Sequence, residues 1–131
     1  MFLTQEETMK RFILIMAFIL TFCSSLAFAE ETVYPSPQEA APNVYTQLFE
    51  NDRVIISEIK FNPGDKAAMH THLYPHAVYV IEGGQLTLTH PDGTSKVVDA
   101  KAGDVMYMET ETHETVNTGS TVFRATVTEL K

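Results

Sequence analysis

The stretch PGDKAAMHTHLYPHAVYVIEGG, residues 63–84, carries three of the five histidines in this 131-residue chain. His70, His72 and His76 stand between a proline-glycine turn and a run rich in β-branched residues, which favour strands. Side chains alternate between the two faces of a strand, so His70 and His72 point the same way. His76 has the same parity, but Pro75 interrupts the ladder and weakens the argument for that ring. The stretch therefore predicts a strand with paired imidazoles, the commonest protein ligands for transition metals.

An all-β fold is predicted by the rest of the chain. Short runs of strand-forming residues are separated by turn signals about every 8–12 residues, a spacing typical of a sandwich or barrel. The predicted runs cover residues 44–49, 54–61, 77–81, 85–90, 95–99, 105–108 and 121–130. Gly83-Gly84 is interpreted as a tight hairpin, and no stretch after residue 30 shows a convincing helical period. A barrel or jelly roll would also leave few strand edges exposed.

Residues 1–29 have the features of a secretory signal peptide. A Lys-Arg pair at 10–11 precedes an apolar core at 12–23, and an Ala-Phe-Ala sequence at 27–29 supplies the small-x-small end. The apolar core is shorter than the roughly 20 residues of a spanning helix, which favours cleavage over a retained anchor. Met9 is a better start than the first methionine, because two glutamates between them cancel the basic charge. We expect an exported protein, periplasmic or secreted.

The remaining chain is expected to contain a proline-rich arm at 30–43 and one barrel domain at 44–131. The single cysteine, Cys23, lies in the predicted signal peptide, so the mature chain is not a disulfide scaffold. The formal net charge is −8, and no basic cluster follows residue 11. This charge argues against nucleic acid as a partner and, after signal cleavage, against an anionic membrane surface. The expected partner is a small molecule, and a homodimer is left open.

The sequence around the histidines resembles the two motifs of the cupin family. Residues 64–83 are similar to the first motif, which consists of glycine, five residues, His-x-His, three or four residues, usually Glu, six residues and glycine. Residues 103–117 are similar to the second motif, which consists of glycine, a proline-glycine turn, His, three residues and Asn. The resemblance implies a double-stranded β-helix, the cupin jelly-roll barrel, with a metal at its wider end. Glu109 and Glu111 replace the usual proline and glycine, and the turn before His113 is one residue shorter.

The resemblance also implies the ligands of that metal. His70, His72 and His113 match the ligand positions of the motifs directly, while His76 stands where the family usually has Glu. We expect His76 to be a fourth ligand in an all-imidazole shell, which would neutralise the ion less than a carboxylate does. The cofactor is expected to be a divalent transition metal, with Mn, Fe, Zn, Ni and Cu all open. Asn117 matches the family's Asn and is interpreted as structural or as a partner of a ligand.

Two functions remain open at this point, because cupins host many unrelated activities. One is an exported cupin that binds a metal and, through it, a small organic ligand. The other is a metal-dependent enzyme, either dioxygenase-like or an isomerase or lyase, acting on a small organic substrate. The candidate pocket walls are Tyr74, Tyr79, Tyr107, Met106 and Met108, although ordinary packing would also explain them.

A simpler interpretation of the histidines is also open. An exposed His-x-His at a strand end can occur without any function, and its spacing alone is only a hypothesis. His90 directly precedes a Pro-Asp-Gly turn and is interpreted as a turn residue. The sequence therefore separates His90 from the four histidines assigned to the metal.

Overall fold

The computed structural model describes residues 4–7 and 31–131. Residues 33–131 form one compact unit, and residues 1–32 form another, in which residues 5–7 are helical. Most of the predicted signal peptide, including its apolar core, lies outside the described residues, so the leader stays a prediction. Among the residues that are described, no helix has the length and apolar character needed to cross a membrane.

In the described part of the chain, one short helix is followed by nine strands. The helix α1 spans Pro37–Ala40. The strands are β1 Tyr45–Glu50, β2 Val54–Phe61, β3 Lys66–His72, β4 His76–Glu82, β5 Gly84–Thr89, β6 Ser95–Ala100, β7 Val105–Met108, β8 Glu111–Asn117 and β9 Phe123–Leu130. The all-β prediction is confirmed, and Leu73-Tyr74-Pro75 separates β3 from β4 as the sequence indicated.

The strands form two antiparallel sheets. The five-stranded sheet has the order β1-β2-β9-β4-β7, and the four-stranded sheet has the order β3-β8-β5-β6. Consecutive strands repeatedly change sheet, as in the double-stranded β-helix that was predicted. Because β3 belongs to one sheet and β4 to the other, the first motif contributes ligand candidates to both sheets.

The core consists of the side chains that alternate inward along these strands. Burial alternates residue by residue along β8 and β9, which is the pattern of a strand with one face on the core. Phe61 and Phe123 are cross-strand partners with their ring centroids 6.5 Å apart, and both are fully buried. Burial of one such ring contributes about 1.5–3 kcal/mol, so this pair anchors the packing of β2 on β9.

The prediction of a tight hairpin at Gly83-Gly84 is wrong. β4 pairs with β7 and β9, whereas β5 pairs with β6 and β8, so the chain crosses from one sheet to the other at this point. A Cβ atom on Gly83 would lie 2.4 Å from the carbonyl oxygen of Ala100. Gly83 therefore allows two backbone segments to pass close to each other and does not form a hairpin turn.

The proline-rich segment contains a helical turn that the hydrophobic pattern did not predict. Ser36 caps α1 through a capping box with Glu39, and Pro37 begins the helix. The Thr71 amide of β3 donates a 2.9 Å hydrogen bond to the Pro35 carbonyl, so the chain at Pro35 lies against the outer edge of β3. Ala41 is buried in the core.

Candidate metal centre

Four strands, two from each sheet, end or begin at the same place and bring the histidines together. In the four-stranded sheet, His70 of β3 is the cross-strand partner of His113 of β8. In the five-stranded sheet, His76 of β4 is the cross-strand partner of Glu129 of β9. Cross-strand partners share a face, so the two pairs lie on facing surfaces of the sheets.

The four imidazoles are buried and in contact. One nitrogen from each of His70, His72 and His113 can be chosen so that all lie within 4.8 Å of one another. His76 stacks on His72 with ring centroids 4.1 Å apart. All four rings are at most 3% exposed, so water satisfies little of their hydrogen-bonding capacity.

The Nδ1 atoms of two rings face backbone carbonyl oxygens. His70 Nδ1 lies 2.6 Å from the Ala68 oxygen, and His76 Nδ1 lies 3.2 Å from the Tyr74 oxygen. A carbonyl only accepts, so each Nδ1 carries the hydrogen, and each Nε2 of a neutral ring is left as a lone pair. Such outside bonds fix the tautomer of a metal-binding histidine.

His72 is held in the same way by a carboxylate. Its Nδ1 lies 3.1 Å from Oε1 of Glu129, a residue only 4% exposed. The second oxygen of Glu129 accepts a 3.5 Å hydrogen bond from Gln38 of α1, whose amide also donates to the Ser57 hydroxyl. The ring is therefore fixed by a chain of contacts that reaches the N-terminal helix.

The inward nitrogens are arranged for a cation. His70 Nε2 and His72 Nε2 are 3.3 Å apart, and both Nδ1 atoms are already engaged outside the cluster. Two lone pairs at this distance repel unless a proton or a metal ion lies between them. Bonds of about 2.1 Å place two ligands of one tetrahedral ion about 3.4 Å apart, so the observed separation suits a shared metal.

A second pair of atoms in the site lacks hydrogen-bond partners. His113 Nδ1 and Glu111 Oε1 are both buried, and neither has an aligned partner among the described residues. They are 3.3 Å apart, and Glu111 Oε1 also lies 3.8 Å from His76 Nε2. Unpaired buried polar atoms are rare in folded proteins, and a bound ion is one of the features that explain them.

The ionisation of the site is suited to binding a cation near neutral pH. Burial lowers the pKa of His70 to about 4 and also lowers the pKa of His76, so both rings are neutral at pH 7. The contact with His113 lowers the pKa of Glu111. Burial is the largest single influence on Glu129 and acts to raise its pKa, but the hydrogen bonds from His72 and Gln38 together with the charges of the neighbouring imidazoles lower the pKa overall.

The comparison of this sequence with protein-family models agrees with the observed fold. The family model described as a cupin domain matches residues 57–129, which is more than half of the chain. The chain belongs to the cupin family. No curated protein matches it.

Solved structures share the fold. A cupin domain from Bordetella pertussis is 26% identical, with a TM-score of 0.62, over 76% of this chain and 98% of that one. The polyketide cyclase RemF from Streptomyces resistomycificus is 25% identical, with a TM-score of 0.51, over 66% and 63% of the two chains. A cupin with a double-stranded β-helix fold from Methanocaldococcus jannaschii is 22% identical, with a TM-score of 0.55, over 77% and 91%, and that likeness concerns the fold alone.

Two other residues discussed in the sequence analysis have structural contacts. Asn117 is buried, and its amide donates to the carbonyls of Phe61 and Thr121, so it ties the end of β8 to its neighbours. His90 lies in the turn after β5, where its Nδ1 is 3.2 Å from the Thr112 carbonyl oxygen.

A cavity inside the cupin barrel adjoins the imidazoles. About 70 Å³ of it is accessible to the centre of a water molecule, several times the roughly 10–15 Å³ that one water needs. His72, His113 and Thr115 lie on its wall, and among the described residues no Asp, Glu, Lys or Arg does. Met106 and Met108 line it, as the sequence suggested. Of the three tyrosines named as candidate walls, two are more than half exposed and none lines it.

Two carboxylates of the site were missed at the level of sequence. Glu129 lies near the end of the chain, 57 residues from the ring that it contacts. Glu111 was noted only as a departure from the family's turn. Its position two residues before His113 was a readable signal, because residues two apart on a strand share a face.

Proposed function

We propose that this cupin binds one divalent transition metal through its histidine cluster and uses the metal to hold a small organic ligand. The observation that carries the proposal is the convergence of His70, His72 and His113 within 4.8 Å. The Nδ1 contacts of His70 and His72 support it, because they leave both Nε2 lone pairs facing inward. His76 is proposed as a further ligand through its Nε2 atom.

The ligand class follows from the cavity. Its wall is aliphatic, aromatic and thioether except for a few polar groups, and no Lys or Arg from the described part of the chain lines it to pair with a phosphate or carboxylate. A sugar would leave most of its hydroxyl groups unpaired there, at a free-energy cost for each one. We therefore favour a small, largely apolar molecule with an oxygen that can reach the imidazole end.

The residues present favour some metals over others. Neutral imidazoles suit Zn, Cu, Fe and Ni, whereas Mn and Mg prefer oxygen ligands. When bound, such an ion would supply Lewis acidity that polarises a ligand oxygen. His70 contributes an imidazole that is already neutral at pH 7, so the ion does not have to displace a proton from it.

Metal analysis of the purified protein tests the proposal. The wild-type protein should carry or take up one ion per chain, and His72→Ala should not. His90→Ala is the matched control and should retain full stoichiometry, because His90 lies in a turn outside the cluster. One ion per chain in folded His72→Ala protein, or none in the wild type after incubation with Zn²⁺, Cu²⁺, Fe²⁺ and Ni²⁺, would contradict it.

A metal-dependent enzyme is the second candidate. The observation that favours it is the cavity, which places a bound molecule against two of the proposed ligands, His72 and His113. RemF, at 25% identity, is a polyketide cyclase, so a protein of this similarity can have catalytic activity. Turnover of enol or diketone-like compounds by metal-loaded protein, with and without O2, would separate an enzyme from a binding protein.

Export is proposed as the setting of this function. The support is the sequence of residues 1–29, with its short apolar core and small-x-small end. A chain that leaves the cytoplasm after cleavage near residue 30 would carry no cysteine into an oxidising compartment. Thiolate ligands need a reducing environment to stay unoxidised, whereas imidazole and carboxylate ligands do not.

A further inference from the structure

Glu111 lies in the metal centre at a position where the second motif usually has glycine, so the motif assigns it no role as a ligand. It begins β8 and is the cross-strand partner of His72. Its side chain is 22% exposed, but Oε1 itself is buried. That atom lies between two rings, 3.3 Å from His113 Nδ1 and 3.8 Å from His76 Nε2.

The two carboxylates of the site differ in their hydrogen bonding. Glu129 bonds to His72 with one oxygen and to Gln38 with the other, as expected of a group that orients a ligand. Glu111 Oε1 has no aligned donor within the described part of the chain, and neither has His113 Nδ1 beside it. The 3.3 Å contact of Glu111 with His113 is therefore less well aligned as a hydrogen bond than the 3.1 Å contact of Glu129 with His72.

His76 gives a second reason to place a cation next to Glu111. Because His76 Nδ1 faces the Tyr74 carbonyl, its Nε2 presents a lone pair toward Glu111 Oε1. A lone pair and a carboxylate oxygen facing each other repel. A metal ion bound by both atoms would turn this repulsion into two bonds.

Two distances from Glu111 Oε1 suit ligands on a common ion, although Glu111 is not among the three residues whose ligand atoms all lie within 4.8 Å of one another. With bonds of about 2.0–2.2 Å, neighbouring ligands lie roughly 3.0–3.6 Å apart at angles between 90° and 110°, and wider angles extend this to about 4.4 Å. The separations of Glu111 Oε1 from His113 Nδ1 and from His76 Nε2, 3.3 and 3.8 Å, both fall in that range.

We propose that Glu111 is a ligand of the metal and supplies the carboxylate that the first motif lacks. This inference rests on the proposed metal-binding function. The histidine at position 76 removes the usual acidic ligand of the first motif, and Glu111 restores one negative charge from β8. The shell then combines neutral imidazoles with one carboxylate, instead of the all-imidazole shell that the sequence suggested.

The test compares Glu111→Gln with Glu109→Gln, an exposed glutamate two residues away. Each protein is stripped of metal, checked for its thermal unfolding midpoint, and titrated with Zn²⁺ against a chelator and with Co²⁺ by visible absorption. Glu111→Gln should bind Zn²⁺ at least tenfold more weakly and give a changed Co²⁺ spectrum, because a ligand is lost. Glu109→Gln should match the wild type in both.

A weakening below tenfold, or a Co²⁺ spectrum identical to that of the wild type, would overturn the inference. Weaker binding with an unchanged spectrum is the effect of an orienting residue, whose loss costs about 10–100-fold. A crystal structure of the wild-type Zn²⁺ complex decides the matter even if the variant does not fold. We expect Glu111 Oε1 about 2.0–2.2 Å from the ion, and a distance beyond about 3 Å refutes a bond. Failure of the wild type to bind any ion refutes the proposed function instead.

Discussion

Glu129→Gln should weaken metal binding although Glu129 is not proposed as a ligand. The carboxylate is 4% exposed and accepts from His72 Nδ1 at 3.1 Å, which holds the lone pair of Nε2 toward the cluster. Glutamine keeps an acceptor oxygen but removes the charge, and its amide group places a second donor near Gln38.

The size of the effect follows from that contact. A hydrogen bond to a charged group contributes about 1.5–3 kcal/mol, and loss of an outer partner of a metal ligand lowers affinity about 10–100-fold. These figures agree, since 10–100-fold corresponds to about 1.4–2.7 kcal/mol. We therefore expect the Zn²⁺ dissociation constant of Glu129→Gln to rise by a factor in that range.

Competition titration with a chromophoric chelator at pH 7.5 measures the change. Glu82→Gln is the matched control, because Glu82 is an exposed glutamate that pairs with Arg124 far along β4 from the cluster. An affinity for folded Glu129→Gln within threefold of the wild type would show that the carboxylate does not prepare His72 for the metal.

Three further predictions concern stability and processing. The metal-free protein should gain about 3 kcal/mol of stability between pH 4 and pH 6.5, measured by urea midpoints, because the unfolded chain protonates His70 below about 6.5 and the folded chain only below about 4. An equal slope in His70→Gln would refute this origin. Gly83→Ala should destabilise the fold by about 1–3 kcal/mol in the same assay, because the added methyl group meets backbone at 2.4 Å, and an unchanged midpoint would refute the close passage. Intact mass of the exported protein should give an N-terminus near Glu30, whereas a chain that keeps residues 9–29, or a lipid on Cys23, would refute cleavage.

The strands and the cluster of His70, His72 and His76 could be predicted because their signals are local, whereas His113 was assigned only through the resemblance of the second motif. Alternation of side chains and the spacing of His70, His72 and His76 are properties of a few neighbouring residues. Glu129 could not be found in this way. Its place depends on the pairing of β9 with β4 and on the facing of two sheets, which no local pattern encodes.

The errors also have physical reasons. A single helical turn has no hydrophobic period, so α1 could be recognised only from its Ser-x-x-Glu capping box at residues 36–39. Two adjacent glycines fit a hairpin as well as they fit a crossing between sheets. Only the distant backbone of Ala100, which passes close to Gly83, distinguishes the two.

The division of the ligands between the sheets has a mechanical consequence. His70, His72 and His113 come from the four-stranded sheet, whereas His76 comes from the five-stranded sheet. An ion shared by these residues would cross-link the two sheets where four of their strands end. Amide hydrogens of β3 and β8 should then exchange more slowly in the loaded protein, since local opening would require the ion to leave. The same cross-link would restrict how far the sheets can separate, and with it the rate at which a molecule enters or leaves the cavity.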